Sequence, residues 1–195
     1  HWMFTEDYDR FKQVFLRQQY RGWQRYVLAI LYFSTNGEEW KNKTFLTEDS
    51  ECKWHGITCH DDIITEINLA SNDLNGTIPK EIGILSPLEK LDLSSNKDLY
   101  GTMPLELGTL WNLRDLNLAS SDLTGEIPSE IGQLINLEVL QLQDSKLGGS
   151  LTTMISKLTK LNVLNLADNN MAGKTPNLKN LTRLKYLDLS HNWFS

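Results

Sequence analysis

Only two cysteines, five prolines and no apolar run longer than the seven residues Val27–Phe33 occur in this chain of 195 residues. A bilayer-spanning helix needs roughly 20 apolar residues, so no segment reads as a membrane span. Two cysteines alone are thin evidence for an oxidising compartment. Positive charge is also short: a net charge of −6 argues against nucleic acid as the main partner. Paired histidines, a glycine-rich phosphate loop and a serine-nucleophile signature are all missing, so neither catalysis nor a metal or cofactor is expected. No secretory leader is visible and the first residue is His1, so the chain reads as a piece of a longer one.

What the chain has in abundance is periodicity. A phrase of about 24 residues begins at Ile64, Leu88, Leu113, Leu137, Leu161 and Leu184, each time with an aliphatic residue at offsets 0, 3 and 5. Leu74, Leu123 and Leu147 add a leucine at offset 10, and Leu99 stands at offset 11 in the one-residue-longer second copy. A fixed period in the twenties with this spacing signs a leucine-rich repeat, a quasi-one-dimensional stack in which each unit buries its apolar edge against its neighbours. The last copy stops at Ser195 partway through, which leads us to expect a continuation.

Within each copy a short Leu-x-Leu strand points both leucines to one face, because strand side chains alternate. Asn72, Asn96, Asn169 and Asn192 follow the strands, and their amides can both donate and accept in the bend between turns. Ser121 and Ser145 stand at that position in the third and fourth copies and can satisfy fewer groups. A Leu-x-Gly-x-Ile-Pro phrase comes next and reads as a turn, with Gly76, Gly101, Gly125 and Gly173 at the bend. Pro79, Pro104, Pro128 and Pro176 bar further strand pairing, and the residues after them form a short helical or irregular return. Thr152 replaces proline in the fourth copy and Thr175 replaces isoleucine in the fifth.

Upstream, residues 1–33 form an aromatic, basic segment of net charge +2, and 11 of the 18 aromatic residues lie at or before Trp40. Phe11, Val14, Phe15 and then Trp23, Tyr26, Val27, Ile30 recur at three- and four-residue steps, which predicts helix over about 6–33, divided or kinked at Gly22. Residues 34–62 are loop-rich, with a turn at Asn36-Gly37, and hold both cysteines in Cys-Lys-Trp-His-Gly-Ile-Thr-Cys. On residues alone, Cys52, His55, Cys59 and His60 could be four zinc ligands or the cysteines a disulfide, although the spacing is not that of a standard finger. Residues 63–195 are the repeats, about five full and one partial.

The pattern L-x-x-L-x-L-x-x-N-x-L-x-G-x-I-P over residues 63–195 resembles the plant-type leucine-rich repeat of receptor-like ectodomains and polygalacturonase-inhibiting proteins. Cys52, Trp54, Gly56, Ile57 and Cys59 resemble the cysteine-paired N-terminal cap of that family, which implies a Cys52–Cys59 disulfide and an oxidising compartment. The phrase Leu31–Trp40 is more similar to members from diatoms and other protists. The resemblance implies an α/β solenoid with a parallel concave sheet and a helical, disulfide-bonded cap. It further implies a non-catalytic, extracellular or membrane-anchored module of a longer receptor-like or adhesion protein. Its partner would be a protein, peptide or glycan held on the concave side.

Once leucine, asparagine, glycine and proline are assigned to scaffold, four outward columns remain. Most of their members are small and polar, as a solvated sheet face would be. Val139, Val163 and Tyr186 stand out as an adjacent apolar strip, with Gln141, Gln143, Asp144, Asp168 and His191 around it, and these eight are the candidate ligand contacts. The aromatic segment has three readings: a lid on the open end of the first repeat, a docking helix for a larger assembly, or a segment lying at a membrane surface. In the docking reading Trp2, Phe4, Phe11, Phe15, Tyr20 and Trp23 are the anchors, and the chain is a structural subunit, possibly near a membrane. Asn42, Asn75 and Asn180 match the N-glycosylation acceptor pattern. Ice or mineral binding would want a regular array, and Thr77, Thr102, Glu126, Ser150 and Lys174 are too mixed to make one.

Overall fold

The computed structural model describes residues 22–42, 44–151 and 153–195. A helix, α1, covers residues 22–34. Twelve strands follow: β1 (Ile57–His60), β2 (Ile63–Asn68), β3 (Lys90–Asp92), β4 (Tyr100–Thr102), β5 (Asp115–Asn117), β6 (Asp122–Glu126), β7 (Val139–Gln141), β8 (Lys146–Gly148), β9 (Val163–Asn165), β10 (Ala172–Gly173), β11 (Tyr186–Asp188) and β12 (Trp193–Phe194). Seven of them make one sheet in the order β1-β2-β3-β5-β7-β9-β11, antiparallel only between β1 and β2. Its register runs Glu66, Lys90, Asp115, Val139, Val163, Tyr186, one residue per repeat. The central leucine of each strand faces inward, and Leu91, Leu116, Leu140 and Leu164 are fully buried. Behind the strands a column of leucine and isoleucine runs without interruption from Val27 to Leu181.

The fold is the leucine-rich-repeat solenoid that the periodicity predicts. One element differs. The Leu-x-Gly-x stretch, expected as a turn, is a second short strand: β4, β6 and β8 pair in parallel, as do β10 and β12. Gly125 has φ +78, and a Cβ there would come within 2.9 Å of Thr102 Cγ2 in the previous repeat. The glycine therefore lets neighbouring turns close up while keeping their strands paired. Proline follows β4, β6 and β10, and the 3₁₀ turns Lys80–Ile84, Leu105–Thr109 and Ser129–Gln133 start directly behind Pro79, Pro104 and Pro128.

Asparagine does what its amide allows. Asn96 Oδ1 accepts from the backbone N–H groups of Asn72 and Leu74, and its Nδ2 donates to the carbonyls of Leu69, Leu93 and Ser94. Asn169 repeats the pattern with Leu147, Leu142, Leu166 and Ala167. Ser121 reaches only the Leu118 carbonyl and the Ser145 hydroxyl.

The open end of the stack is closed by α1 and the segment after it. The helix packs Val27, Leu28 and Leu31 into the core, together with the fully buried Gln24. Of the residues that marked the helical period, Val27 is buried, whereas Trp23 and Tyr26 are about half exposed. Gln24 Oε1 accepts from Ile64 N at 2.6 Å and its Nε2 donates to the Asp62 carbonyl, so the amide closes the start of β2. At the other end of α1, the carbonyls of Ser34 and Thr35 accept from Thr77 N and Asn75 N. Helix carbonyls and an open strand edge thus satisfy each other. Close approach at that point requires Gly76 (φ +147), where a Cβ would lie 1.9 Å from Ser34 O.

Tyr32, Trp40, Phe45 and Trp54 stack in sequence beneath the helix, with ring centroids 5.3, 5.0 and 4.8 Å apart along the series. Arg25 covers Trp54 at 4.8 Å and pairs with the buried Glu51 at 3.7 Å. Cys52 and Cys59 form a disulfide beside this cluster, which rules out the zinc arrangement considered for them with His55 and His60. No helix among the described residues is long and apolar enough to cross a membrane.

Replacing Asn96 by alanine removes five hydrogen bonds and strands four backbone groups in the core, since the Ser94 carbonyl keeps the Ser71 N–H, whereas Ser121→Ala loses one backbone bond. Buried unpaired groups cost about 1–3 kcal/mol each, so Asn96→Ala should lower stability by roughly 3 kcal/mol or more and Ser121→Ala by about 1 kcal/mol. Chemical denaturation of the two variants checks this; equal losses would contradict the ladder.

Candidate functional site

The outer face of the seven-stranded sheet is the broadest regular surface of the molecule, and its columns differ in how free their side chains are. In the register that begins at Glu66, Lys90 Nζ lies 3.3 Å from Asp115 Oδ2 across β3 and β5. Beyond that ion pair the same register becomes Val139, Val163 and Tyr186 on β7, β9 and β11. The two valines are half-buried and Tyr186 is 47% exposed. The structure therefore brings the three apolar residues side by side.

The next column is largely committed. Asn68, Asp92, Asn117, Asn165 and Asp188 each accept the backbone N–H two residues further on, at 3.0–3.2 Å. Gln141 occupies the same position with one more methylene and makes no such brace among the described residues, which leaves its amide available on the face. Gln143 stands where other repeats carry Ala70, Ala119 and Ala167, and its Oε1 is buried without a donor.

From β3 onward the strands of this sheet are three residues long, so the residues after them leave the pleat sooner than the alternation predicts. Ser71, Ser95, Ser120, Asp144, Asp168 and His191 all sit on left-handed backbone, φ 53–57, in the bend beyond the strand. The candidate contacts accordingly divide in two. Val139, Gln141, Gln143, Val163 and Tyr186 lie on or beside the sheet face, while Asp144, Asp168 and His191 are exposed along its rim.

Asp168 and His191 line a groove of about 450 Å³ together with Trp193, which is 74% exposed. Sequence reasoning passed over Trp193 because it lies in the incomplete last copy. Asp144 lines a separate hollow of about 210 Å³ with Lys97, Ser120 and Asp122.

Tyr186 and Asp188 face the same way, two residues apart on β11, and the phenol donates to Asp188 Oδ2 at 3.2 Å. The Ser190 hydroxyl and N–H also donate to Asp188. Those donors from Ser190, more than the phenol, hold the Asp188 carboxyl below its ordinary range. Losing its bond to the carboxylate on ionisation lifts the Tyr186 phenol above its usual value.

Of the anchors named for a docking helix, Trp2, Phe4, Phe11, Phe15 and Tyr20 lie outside the described residues, as does the helix expected before Gly22. Trp23 is on the outer side of α1, edge-on to Tyr26 with centroids 5.8 Å apart. The sequon asparagines Asn42, Asn75 and Asn180 are all exposed, although Asn42 Nδ2 donates to Asn72 Oδ1 at 3.1 Å.

Residues 112–134 match the family model described as Leucine Rich Repeat. A probable leucine-rich-repeat receptor-like protein kinase of Arabidopsis thaliana is 35% identical over 65 residues, 33% of this chain and 6% of that kinase. The matched part spans less than a tenth of the curated relatives it resembles. Among solved structures, the BIR2 ectodomain from Arabidopsis thaliana superposes with a TM-score of 0.78 at 28% identity, covering 87% of this chain and 92% of that one. The ectodomain of the Arabidopsis receptor kinase HAESA, in complex with an IDA peptide hormone ligand, gives 0.78 at 28% identity over 88% of this chain and 29% of that one. The chain is a leucine-rich-repeat solenoid. Its structural neighbours are ectodomains of plant receptor kinases.

The Tyr186–Asp188 contact has a defined pH window. For the phenol, the stabilisation is complete below about 10 and disappears as pH rises through the higher folded value. For the carboxyl it is present above about 4 and disappears as pH falls through the lower folded value. In a spectroscopic titration Tyr186 should ionise above about 10 and return towards it in Asp188→Asn; unchanged ionisation in that variant would mean the two do not interact.

Proposed function

We propose that this chain is the recognition module of a longer receptor-like or adhesion protein, working outside the cell, and that it holds a protein, peptide or glycan partner on its sheet face. The observation that carries this reading is the register Val139–Val163–Tyr186, three apolar side chains on consecutive strands with Gln141 and Gln143 beside them. Such a face suits a partner that offers an apolar group to the strip and a hydroxyl or N–H to the glutamines. Asp144, Asp168 and His191 would meet basic or hydroxyl-bearing parts of the same partner at the rim. Residues 1–33 and 34–62 act as the cap of the module and 63–195 as its repeats.

The likeness to receptor-kinase ectodomains, one of them bound to a peptide hormone, supports the recognition role. The Cys52–Cys59 disulfide and the exposed sequons at Asn42, Asn75 and Asn180 support an oxidising, extracellular setting and glycosylation there. The acidic chain favours such partners over nucleic acid.

One observation favours the second reading, a structural subunit docked through the aromatic helix, if need be at a membrane. Trp23, Tyr26 and Phe33 follow one another along the outer side of α1 and are 48%, 50% and 70% exposed. Photo-crosslinking from positions 163 and 23 in the native setting separates the two. The first reading expects the crosslinked partner at position 163, and at least about tenfold weaker binding of that partner in Val163→Asp or Tyr186→Ala, as for a buried hot spot. A partner crosslinked from position 23, whose binding is lost in Trp23→Ser and unaffected by Val163→Asp, would establish the second reading instead.

A further inference from the structure

The lateral edge of the solenoid, where the chain enters each strand of the main sheet, carries a pattern apart from the Val139–Val163–Tyr186 strip. Backbone bonds stack this edge residue on residue: Glu89 N donates to Thr65 O, Arg114 N to Glu89 O, Glu138 N to Arg114 O, Asn162 N to Glu138 O and Lys185 N to Asn162 O. One position further out, Asn112 reaches the Ser86 carbonyl, Asn136 the Trp111 carbonyl, and Lys160 the Asn136 amide oxygen at 2.6 Å.

Along this ladder the chemistry changes in three steps. At the entry to β2 and β3 lie Asp61, Glu66 and Glu89, which line a groove of about 560 Å³ with His60, Ile63, Thr65, Pro87 and Asn112, His60 standing 3.6 Å from Asp61. Just ahead of β5 and β7 stand Trp111 and Ile135, each 59% exposed. At the entry to β9 and β11 stand Lys160, Arg183 and Lys185, all exposed and, among the described residues, without an acidic partner. Between the ends, Arg114 is already balanced by Glu89 at 3.5 Å and Glu138 at 3.3 Å.

We propose that this edge pairs with the same edge of a second copy of the chain, related by a two-fold axis passing between the third and fourth repeats. The axis falls at the middle of the six copies, which is where the apolar pair lies. It sets Trp111 of one copy against Ile135 of the other, and Arg114 against Glu138. It also brings the basic end of each copy over the acidic groove of its mate, where Arg183 or Lys185 would enter. An isologous contact has to be self-complementary, and an edge that is acidic at one end, apolar at the centre and basic at the other satisfies that requirement only in the antiparallel sense. A buried tryptophan flanked by arginine is also the kind of anchor on which such contacts concentrate. The sheet face stays open in this arrangement, so the pairing goes beyond the recognition role and can be tested separately from it.

The experiment is light scattering on the 195-residue chain over a range of concentration and salt, with far-ultraviolet circular dichroism confirming that each variant folds. A dimer that weakens with salt is expected, and Trp111→Glu should weaken it by at least about tenfold. Two further chains make the test specific: one with Asp61→Lys and Glu89→Lys, the other with Lys160→Glu and Arg183→Glu. Each should be monomeric alone, and an equimolar mixture should form a heterodimer. A wild-type chain that stays monomeric at low salt overturns the proposal and leaves the edge to a different protein. So does a dimer indifferent to Trp111→Glu, which would point to another surface such as α1, or a mixture of folded charge variants that does not associate. Crosslinking at position 163 should be unchanged in Trp111→Glu, which keeps failure of this pairing distinct from failure of the sheet-face reading.

Discussion

A backbone that turns back on itself every 24 residues carries peptide groups into a column of leucine that water does not reach, and each of those groups needs a partner. In four of the six turns an asparagine amide supplies some of them. Asn96 serves five backbone groups from two successive repeats, and so acts as a bridge between turns as well as a cap within one. The left-handed residue that precedes it, with φ near 55 in every copy, is what aims the amide inward. Strand register follows from this. With each bend fixed to the next, Glu66, Lys90, Asp115, Val139, Val163 and Tyr186 have no freedom to slip.

The same constraint decides how the stack begins. Before the first repeat there is no earlier ladder asparagine and no earlier parallel strand, so the first N–H groups need another source of acceptors. Gln24 provides one from inside α1, and the carbonyls of Ser34 and Thr35 at the end of the helix provide two more. The cap is thus a hydrogen-bonding adaptor as much as an apolar lid. Arg25, which counted towards a basic and possibly membrane-facing helix on charge alone, is engaged in this adaptor through Trp54, Glu51 and the carbonyls of Thr47 and Asp49.

Repetition made the fold legible, because six copies of one phrase average out the ambiguity of any single copy. The leucines, the asparagine ladder, the 3₁₀ returns behind proline and the weakness of serine as a substitute were all readable from residue type and spacing. What did not follow was the second sheet, since a glycine in a Leu-x-Gly-x phrase says that the backbone bends but not that neighbouring bends pair. The buried side of α1 was not legible for a related reason. Trp23 and Tyr26 fit a helical period as well as Val27 and Leu28 do, and only the position of the first repeat tells which face it covers. On the sheet face, alternation identified Val139, Val163 and Tyr186 correctly as neighbours. It could not show that Asn68, Asp92, Asn117 and Asn165 turn back to brace the strand ends, because that depends on the bend beyond them.

Function is harder to read for a physical reason. A solenoid needs nearly the same residues in every turn, so the residues that differ between turns are the ones the scaffold does not require. Those differences gather in the third and fourth repeats. There Ser121 and Ser145 stand in the asparagine ladder and Gln141 gives up the brace that Asn117 and Asn165 make on either side. Gln143 leaves an acceptor unpaired, and Trp111 and Ile135 stand open on the edge. Each of these replacements makes the stack less self-consistent, and the Ser121–Ser145 hydroxyl contact is small return for the lost ladder bonds. Local inconsistency that brings little internal gain is where a fold yields to something outside itself. The middle of this solenoid is therefore where both of its candidate contacts converge, one on the sheet face and one on the edge.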